Sequence, residues 1–317
     1  MPQNAIQFQP GQSLAEFFAL YGTEAQCEAA LERRRWPAGF VCPVCGEQAH
    51  SSFCVEGRQY WQCAQCRTQT SLLSGTLFQA TKLPLTKWFL AEYLIGQNKN
   101  DFSALSLKRH LGVSYRTAWR VKHKLMEAMA ERESTRRLHG VVIADDAYLG
   151  GVHAGKPGRG SPNKMPFIAA VELSEEGHPW HVRLDALPNL KGESILAWAT
   201  KALHPTVHLV TDALSSLAAA KAAVANYGAI VVSPRRSSDL EAFRWVNTII
   251  ANFKTAIRGT YHHFNFAKYR ARYLAEAQYR LNRRFDLASM VERLLGACVL
   301  APPSPEAWLR RGEIRRR

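Results

Sequence analysis

The chain has 317 residues, 47% of them apolar, which is enough to bury a sizeable core spread over two or three domains. Its formal charge of +15 and pI near 9.7 favour a polyanion through counterion release, and nucleic acid is the natural candidate. No run approaches the ~20 apolar residues of a membrane span, and the opening MPQNAIQFQPGQSLAEFF lacks the basic region and apolar stretch of a signal peptide, so a cytoplasmic protein with no membrane partner is expected.

In chain order, residues 1–36 read as a helical segment and residues 37–72 as a zinc ribbon. CPVC (Cys42, Cys45) and CAQC (Cys63, Cys66) are separated by seventeen residues. Each pair sets two thiolates on a tight knuckle, and the intervening segments are long enough for short strands that return the second pair to a tetrahedral Zn²⁺ site. The metal replaces a core that so short a segment cannot build. Disulfides are the competing reading, against which stand a cytoplasmic setting and an odd total of seven cysteines. Cys27, Cys54 and Cys298 are expected to be buried thiols. A ribbon specifies a metal and leaves its ligand open among DNA, RNA and protein.

Residues 80–137 read as helical. LPLTKWFLAEYLIGQ has helical apolar spacing, and SALSLKRHLGVSYRTAWRVKHKLMEAM has the pattern of a helix-turn-helix. Leu107 and Leu111 close a first helix, Gly112 and Val113 turn, Ser114 caps the next helix, and Ala118, Val121 and Leu125 form its buried stripe. Tyr115, Arg116 and Arg120 are then expected to reach DNA, with Lys122 and Lys124 also off the core. A charged helical linker is the alternative. Residues 108–137 hold nine Lys/Arg against three acids, and residues 254–284 hold eight against one.

From residue 138 to 297 the pattern becomes α/β. VVIAD, PFIAAVEL and WHVRLDAL read as strands, ESILAWATKAL as a helix, VHLVTD as a strand, SLAAAKAAVA as a helix, IVVSP as a strand and 241–257 as a long helix. That order suits a ribonuclease-H-like layer. The loop GGVHAGKPGRGSPNK lacks the ending of a nucleotide-binding P-loop, and Arg159 and Lys164 are its candidate phosphate contacts. Residues 298–317 read as a basic tail.

Four side chains in this segment suggest a metal-dependent nuclease core. Asp145 and Asp212 each close an apolar run and are expected where a buried strand emerges. Asn247 and Lys254 lie on one helix, and seven residues at ~100° each bring them within roughly 20° of each other. Asp145 and Asp146 alternate across a strand, so only one of the two should face a metal. Glu241 and Asp239 are the carboxylates that could replace Asn247. Two Mg²⁺ or Mn²⁺ ions held by such oxygens can activate a water or 3′-hydroxyl and stabilise the leaving oxygen of a phosphodiester.

The segments ADDAYLGG, VTDALSS and FRWVNTIIANFKTAIRGTYH, with YLAEAQYRLNRRFDL downstream, resemble bacterial insertion-sequence transposases with an amino-terminal zinc ribbon and an ISXO2-like Asp-Asp-Asn/Glu catalytic domain. The resemblance runs from the ribbon to about residue 295, with the motifs in the family's order. It implies a DNA transposase that binds element ends, cuts and joins strands with target DNA, and assembles as a homo-oligomer on DNA at the nucleoid. It also implies Asp145, Asp212 and Asn247 as metal ligands and Lys254 as a DNA contact, and favours Asp145 over Asp146. A non-catalytic DNA-binding regulator and a zinc-ribbon factor acting on RNA are the alternatives.

Overall fold

Helices near the amino end begin where the sequence supplies caps. Ser13 and Thr23 each form a reciprocal capping box, with Glu16 and Gln26, and open α1 (Leu14–Tyr21) and α2 (Glu24–Arg35). α3 (Leu85–Gln97) follows Pro84, which offers no side-chain cap. The Glu24 carboxylate caps it from α2, accepting from the amides of Leu85 at 2.7 Å and Thr86 at 3.1 Å. Ser103 caps α4 (Ala104–Leu111), which ends on Gly112 in the left-handed conformation, φ 61°. α5 (Tyr115–Ser134) follows.

The computed structural model describes residues 11–150, 164–231, 240–262 and 264–315. They divide into two units, Met1–Ala128 with Phe285–Arg310, and Met129–Arg284 with Arg311–Arg317. In the first unit, β1 (His50–Val55), β2 (Arg58–Cys63) and β3 (Gln69–Ser71) form an antiparallel sheet. Trp36, Phe40 and Trp61 pack with Cys42 and Cys63 into a small core. The same unit takes in α9 (Met290–Leu300) and α10 (Glu306–Arg311), so residues expected as a basic tail are partly helical. α9 packs against α2 and α3, and a Cβ on Gly96 would come within 2.6 Å of Met290 Cγ.

The second unit holds a five-stranded sheet in the order β6-β5-β4-β7-β8. β5 (Met165–Leu173) pairs antiparallel with both β4 (Val141–Leu149) and β6 (Pro179–Ala186), while β7 (His208–Asp212) and β8 (Asn226–Ile230) run parallel to β4. One face carries Val142, Ala144, Ile168 and Ala170, packed on Ile195, Trp198 and Ala199 of α6 (Gly192–Ala202) and on Leu217 and Ala220. The other carries Phe167, whose ring meets Phe253 edge-on at 5.8 Å; Phe253 belongs to α7 (Arg244–Thr260).

Three elements differ from the sequence expectation. The helix expected at 216–225 is a 3-10 segment, Leu217–Ala223, and a strand runs Asn226–Ile230, while residues 232–234 of the strand expected at 230–234 lie outside the described residues. The long helix starts at Arg244, after a 3-10 turn at Glu241–Phe243. Short alanine-rich runs carry little of the apolar periodicity that distinguishes one helix type or boundary from another.

β6 is a sheet edge, and α8 (Phe266–Leu281) covers it. Gln278 Oε1 accepts from the Leu184 amide at 2.9 Å, and Asn282 Oδ1 from the Val182 amide at 2.7 Å. Both carboxamides donate to Glu133, which is 3% exposed and pairs with Arg283 at 2.6 Å. Burial alone would raise the Glu133 carboxyl; Arg283, Asn282 and Arg136 outweigh it and hold it below the usual carboxylate range. A depressed carboxyl stabilises the fold above its unfolded-state value and loses that contribution as pH falls through its lowered folded value. Glu133→Ala should therefore destabilise by roughly 3–5 kcal/mol at pH 7, because Arg283 is left buried and unpaired. Thermal melts from neutral pH into the acid range should show this difference between wild type and variant shrinking.

Candidate functional site

Two knuckles with the same backbone bonding build the cysteine cluster. The Cys42 amide donates to Glu47 O and the Gly46 amide to Cys42 O; the Cys63 amide donates to Thr68 O and the Arg67 amide to Cys63 O. Each turn closes on a left-handed residue, Gly46 at φ 77° and Arg67 at φ 58°. The four sulfurs lie within 4.8 Å of one another, with Cys42–Cys66 and Cys45–Cys63 at 3.5 Å. A disulfide needs about 2.05 Å, whereas zinc–sulfur bonds of about 2.3 Å at tetrahedral angles put sulfurs roughly 3.8 Å apart. The donor set fits zinc. Cys27 and Cys298 are buried as expected, but Cys54 is exposed on the hairpin, because β1 buries none of its residues and only Phe53 is half-buried, stacked on Tyr60.

The acidic site comes from strand register. Ala144 of β4 pairs in parallel with Thr211 of β7, so the next residues, Asp145 and Asp212, emerge side by side. Asp145 is 8% exposed and sits inside β4, not at its end, because β4 continues to Leu149 against β5. The expectation that only one of Asp145 and Asp146 faces the site does not hold. Asp145, Asp146 and Asp212 each place a carboxylate oxygen within 4.8 Å of the others. The Asp146 amide donates to Asp145 Oδ1 at 2.8 Å, and the Leu214 amide to Asp212 Oδ1 at 3.4 Å. Ionised carboxylates this close repel by about 3 kcal/mol per pair at an effective dielectric near 20, which makes the cluster a natural seat for a cation.

α7 supplies the rest. Val246, Ile249, Ile250, Phe253 and Ile257 form its buried stripe, and the helix packs on β4 and β5. Phe167 pairs with Ala147 across the β4–β5 ladder, two residues from Asp145, so the Phe253–Phe167 contact docks α7 on the Asp145 face. Burial lowers the Lys254 amine below its ordinary value and Arg258 adds to this, while Asp145 and Asp146 act to raise it; Lys254 therefore lies in the field of these carboxylates. Asn247, two turns earlier, is half-buried, and its carboxamide nitrogen is buried without a hydrogen-bond partner among the described residues. Glu241 is exposed and paired with Arg244 at 2.9 Å; Asp239 lies outside the described residues.

The DNA contacts expected from sequence separate into groups. Tyr115, Arg116 and Arg120 are exposed on the first turns of α5. Lys122 and Lys124 need correction. Lys122 is 1% exposed, and Lys124 donates to Leu77 O at 2.9 Å and lies over the Trp88 ring, with burial and then Arg120 pushing its amine down to about 8. The reason is that α5 is buried nearly all round from Val121 to Glu131, so a single-stripe reading assigns these lysines to solvent wrongly. Lys164 is half-buried just before β5, and Arg159 lies outside the described residues. Asp146 is the residue that strand alternation discarded; its signal was the acidic pair itself.

The cysteine ribbon and, on the α/β layer, the acid cluster with Lys254 nearby are two candidate metal sites in one chain. Residues 137–282 match the ISXO2-like transposase domain, and residues 22–69 match the transposase zinc-ribbon domain. The chain belongs to the insertion-sequence transposase family that carries these two domains. Over 140 residues it is 29% identical to an uncharacterized protein in transposable element ISH50 of Halobacterium salinarum, an alignment covering 43% of this chain and 45% of that protein. The chain thus spans less than half of that relative's length. For the ribbon, purified protein should carry about one zinc per chain by elemental analysis. Chelation or Cys45→Ser should release it and alter the near-ultraviolet circular dichroism of Trp36 and Trp61.

Proposed function

We propose that the protein is a DNA transposase that binds the ends of an insertion sequence and catalyses divalent-metal-dependent strand cleavage and strand transfer. The observation that carries this reading is the convergence of Asp145, Asp146 and Asp212 beside the Lys254 helix. Three antiparallel strands followed by two parallel to the first support a ribonuclease-H-like catalytic layer. The pair α4 and α5, joined through left-handed Gly112, supports a helix-turn-helix that contacts duplex DNA. Among the described residues no helix is long and apolar enough to cross a membrane. The protein acts in the cytoplasm on nucleoid DNA, and it assembles as a homo-oligomer when it holds two element ends.

The residues fit Mg²⁺ or Mn²⁺, since the donors are hard carboxylate oxygens and the buried amide nitrogen of Asn247 has no hydrogen-bond partner among the described residues to fix that side chain. When bound, such ions activate the attacking oxygen and stabilise the leaving one. Asp145, the most buried of the three acids, would hold such ions together with Asp212 and Asn247. A half-turn of the Asn247 side chain exchanges its amide nitrogen for a ligating oxygen. A neutral amide at position 247 adds no charge to the three carboxylates, and the phosphate of bound DNA would complete the site. Lys254 holds that phosphate as a point charge.

The test is cleavage and joining of DNA carrying the element's ends, with Mg²⁺, by purified protein. Asp212→Ala should abolish both steps; intact activity in this variant, or none in the wild type, would favour a non-catalytic DNA-binding regulator. Tighter binding to RNA than to duplex DNA would favour an RNA factor. Asn247→Ala should cost roughly a hundredfold or more in rate, whereas Asn247→Asp should keep activity and tighten metal binding. Unchanged turnover in Asn247→Ala would move the third ligand to Asp146.

A further inference from the structure

We infer that Arg116, Arg120 and Arg310 form one surface that grips the backbone phosphates of duplex DNA, with Glu306 as the residue that positions their guanidinium groups. This rests on the reading of the protein as DNA-binding, and adds to it a contact from the carboxyl-terminal segment. All four residues belong to the first unit.

Three cations surround one anion. Arg116 Nε lies 3.1 and 3.0 Å from the two Glu306 oxygens and its Nη2 2.9 Å from Oε2. Arg310 approaches Oε1 through Nε and Nη2, both at 2.8 Å, and Arg120 Nη1 stands 3.8 Å from Oε2. Hydrogen bonds from Arg116 and then Arg310 hold the Glu306 carboxyl below the usual carboxylate range, so the anion is ionised at neutral pH. Three positive charges against one leave two uncompensated at a single place on the surface.

Exposure shows which way that excess points. The Glu306 side chain is only 16% exposed, whereas those of Arg116, Arg120 and Arg310 are 71%, 48% and 58% exposed. The carboxylate therefore sits beneath the arginines. Arg116 and Arg310 spend their Nε–Nη2 edges on it, and a guanidinium presents five donors in a fixed fork, so their Nη1 edges stay turned to solvent. Arg310 also lies over the Trp119 ring at 5.2 Å, which limits its rotation. Rigid outward forks spaced around a common base suit phosphodiester oxygens, which accept bidentate hydrogen bonds. Tyr115, Arg116, Trp119 and Arg120 share the first turns of α5, so the arginine of α10 extends the surface that α5 offers to DNA.

The experiment is fluorescence anisotropy of the full chain with a labelled mixed-sequence DNA duplex across a salt series. Arg310→Gln should bind roughly five- to tenfold more weakly at fixed salt, with the log–log salt slope shallower by about one. Glu306→Gln makes the surface more positive, yet it should bind more weakly, because the forks lose their anchor; Glu306→Asp, which restores the anion, should recover part of the loss. Thermal midpoints, measured in parallel, should stay at the wild-type value for all three. Tighter binding by Glu306→Gln would make Glu306 a competing anion and overturn its positioning role. Wild-type affinity and slope in Arg310→Gln would overturn the surface itself. Failure of the wild-type chain to bind the duplex would sink the DNA-binding reading, a result distinct from either.

Discussion

The parallel pairing of β4 with β7 is the constraint on which the acidic site depends. Ala144 opposite Thr211 makes Asp145 and Asp212 neighbours on adjacent strands, although they are far apart in the chain. A slip of one residue would send one carboxylate to the opposite face, because side chains alternate with a period of two. The register is held from both faces of the sheet. Val142 and Ala144 must be buried against α6 and the 3-10 segment, and Phe167 must meet Phe253 on the other side. Burial on both faces is what makes the slip costly.

Charge then separates the functional part of the layer from its structural part. At the candidate site, three carboxylates converge with Lys254 nearby, an arrangement that like-charge repulsion disfavours and that a cation would relieve. At the far edge, Glu133 is matched closely by Arg283, Gln278 and Asn282, and the same carboxamides satisfy the open edge of β6. The Glu133 cluster is closed by the fold and holds α8 in place.

The ribbon meets a different limitation. Its aromatic core is small, and the repeated knuckle geometry concentrates four thiol groups where only a metal can hold them together. The ribbon and the acid cluster are the two places among the described residues where side chains of these types gather closely enough to hold a metal.

Much of this was legible in the sequence because its signals are local or periodic. The Cys-x2-Cys pairs named the metal, Gly112 and the two apolar stripes marked the turn between α4 and α5, and the seven-residue interval placed Asn247 and Lys254 on one helix face. Asp145 and Asp212 could be nominated from the apolar runs they follow. Tertiary structure decided the rest. Asp146 joins the site although alternation alone would send it away, and Lys122 and Lys124 are withdrawn from solvent because α5 is enclosed on all sides. Carboxyl-terminal residues that read as a charged tail instead bring Glu306 and Arg310 to α5. Spacing along a chain sets which side chains share a face of one element; which faces meet, and which charges are left for a ligand, depends on packing between elements distant in sequence.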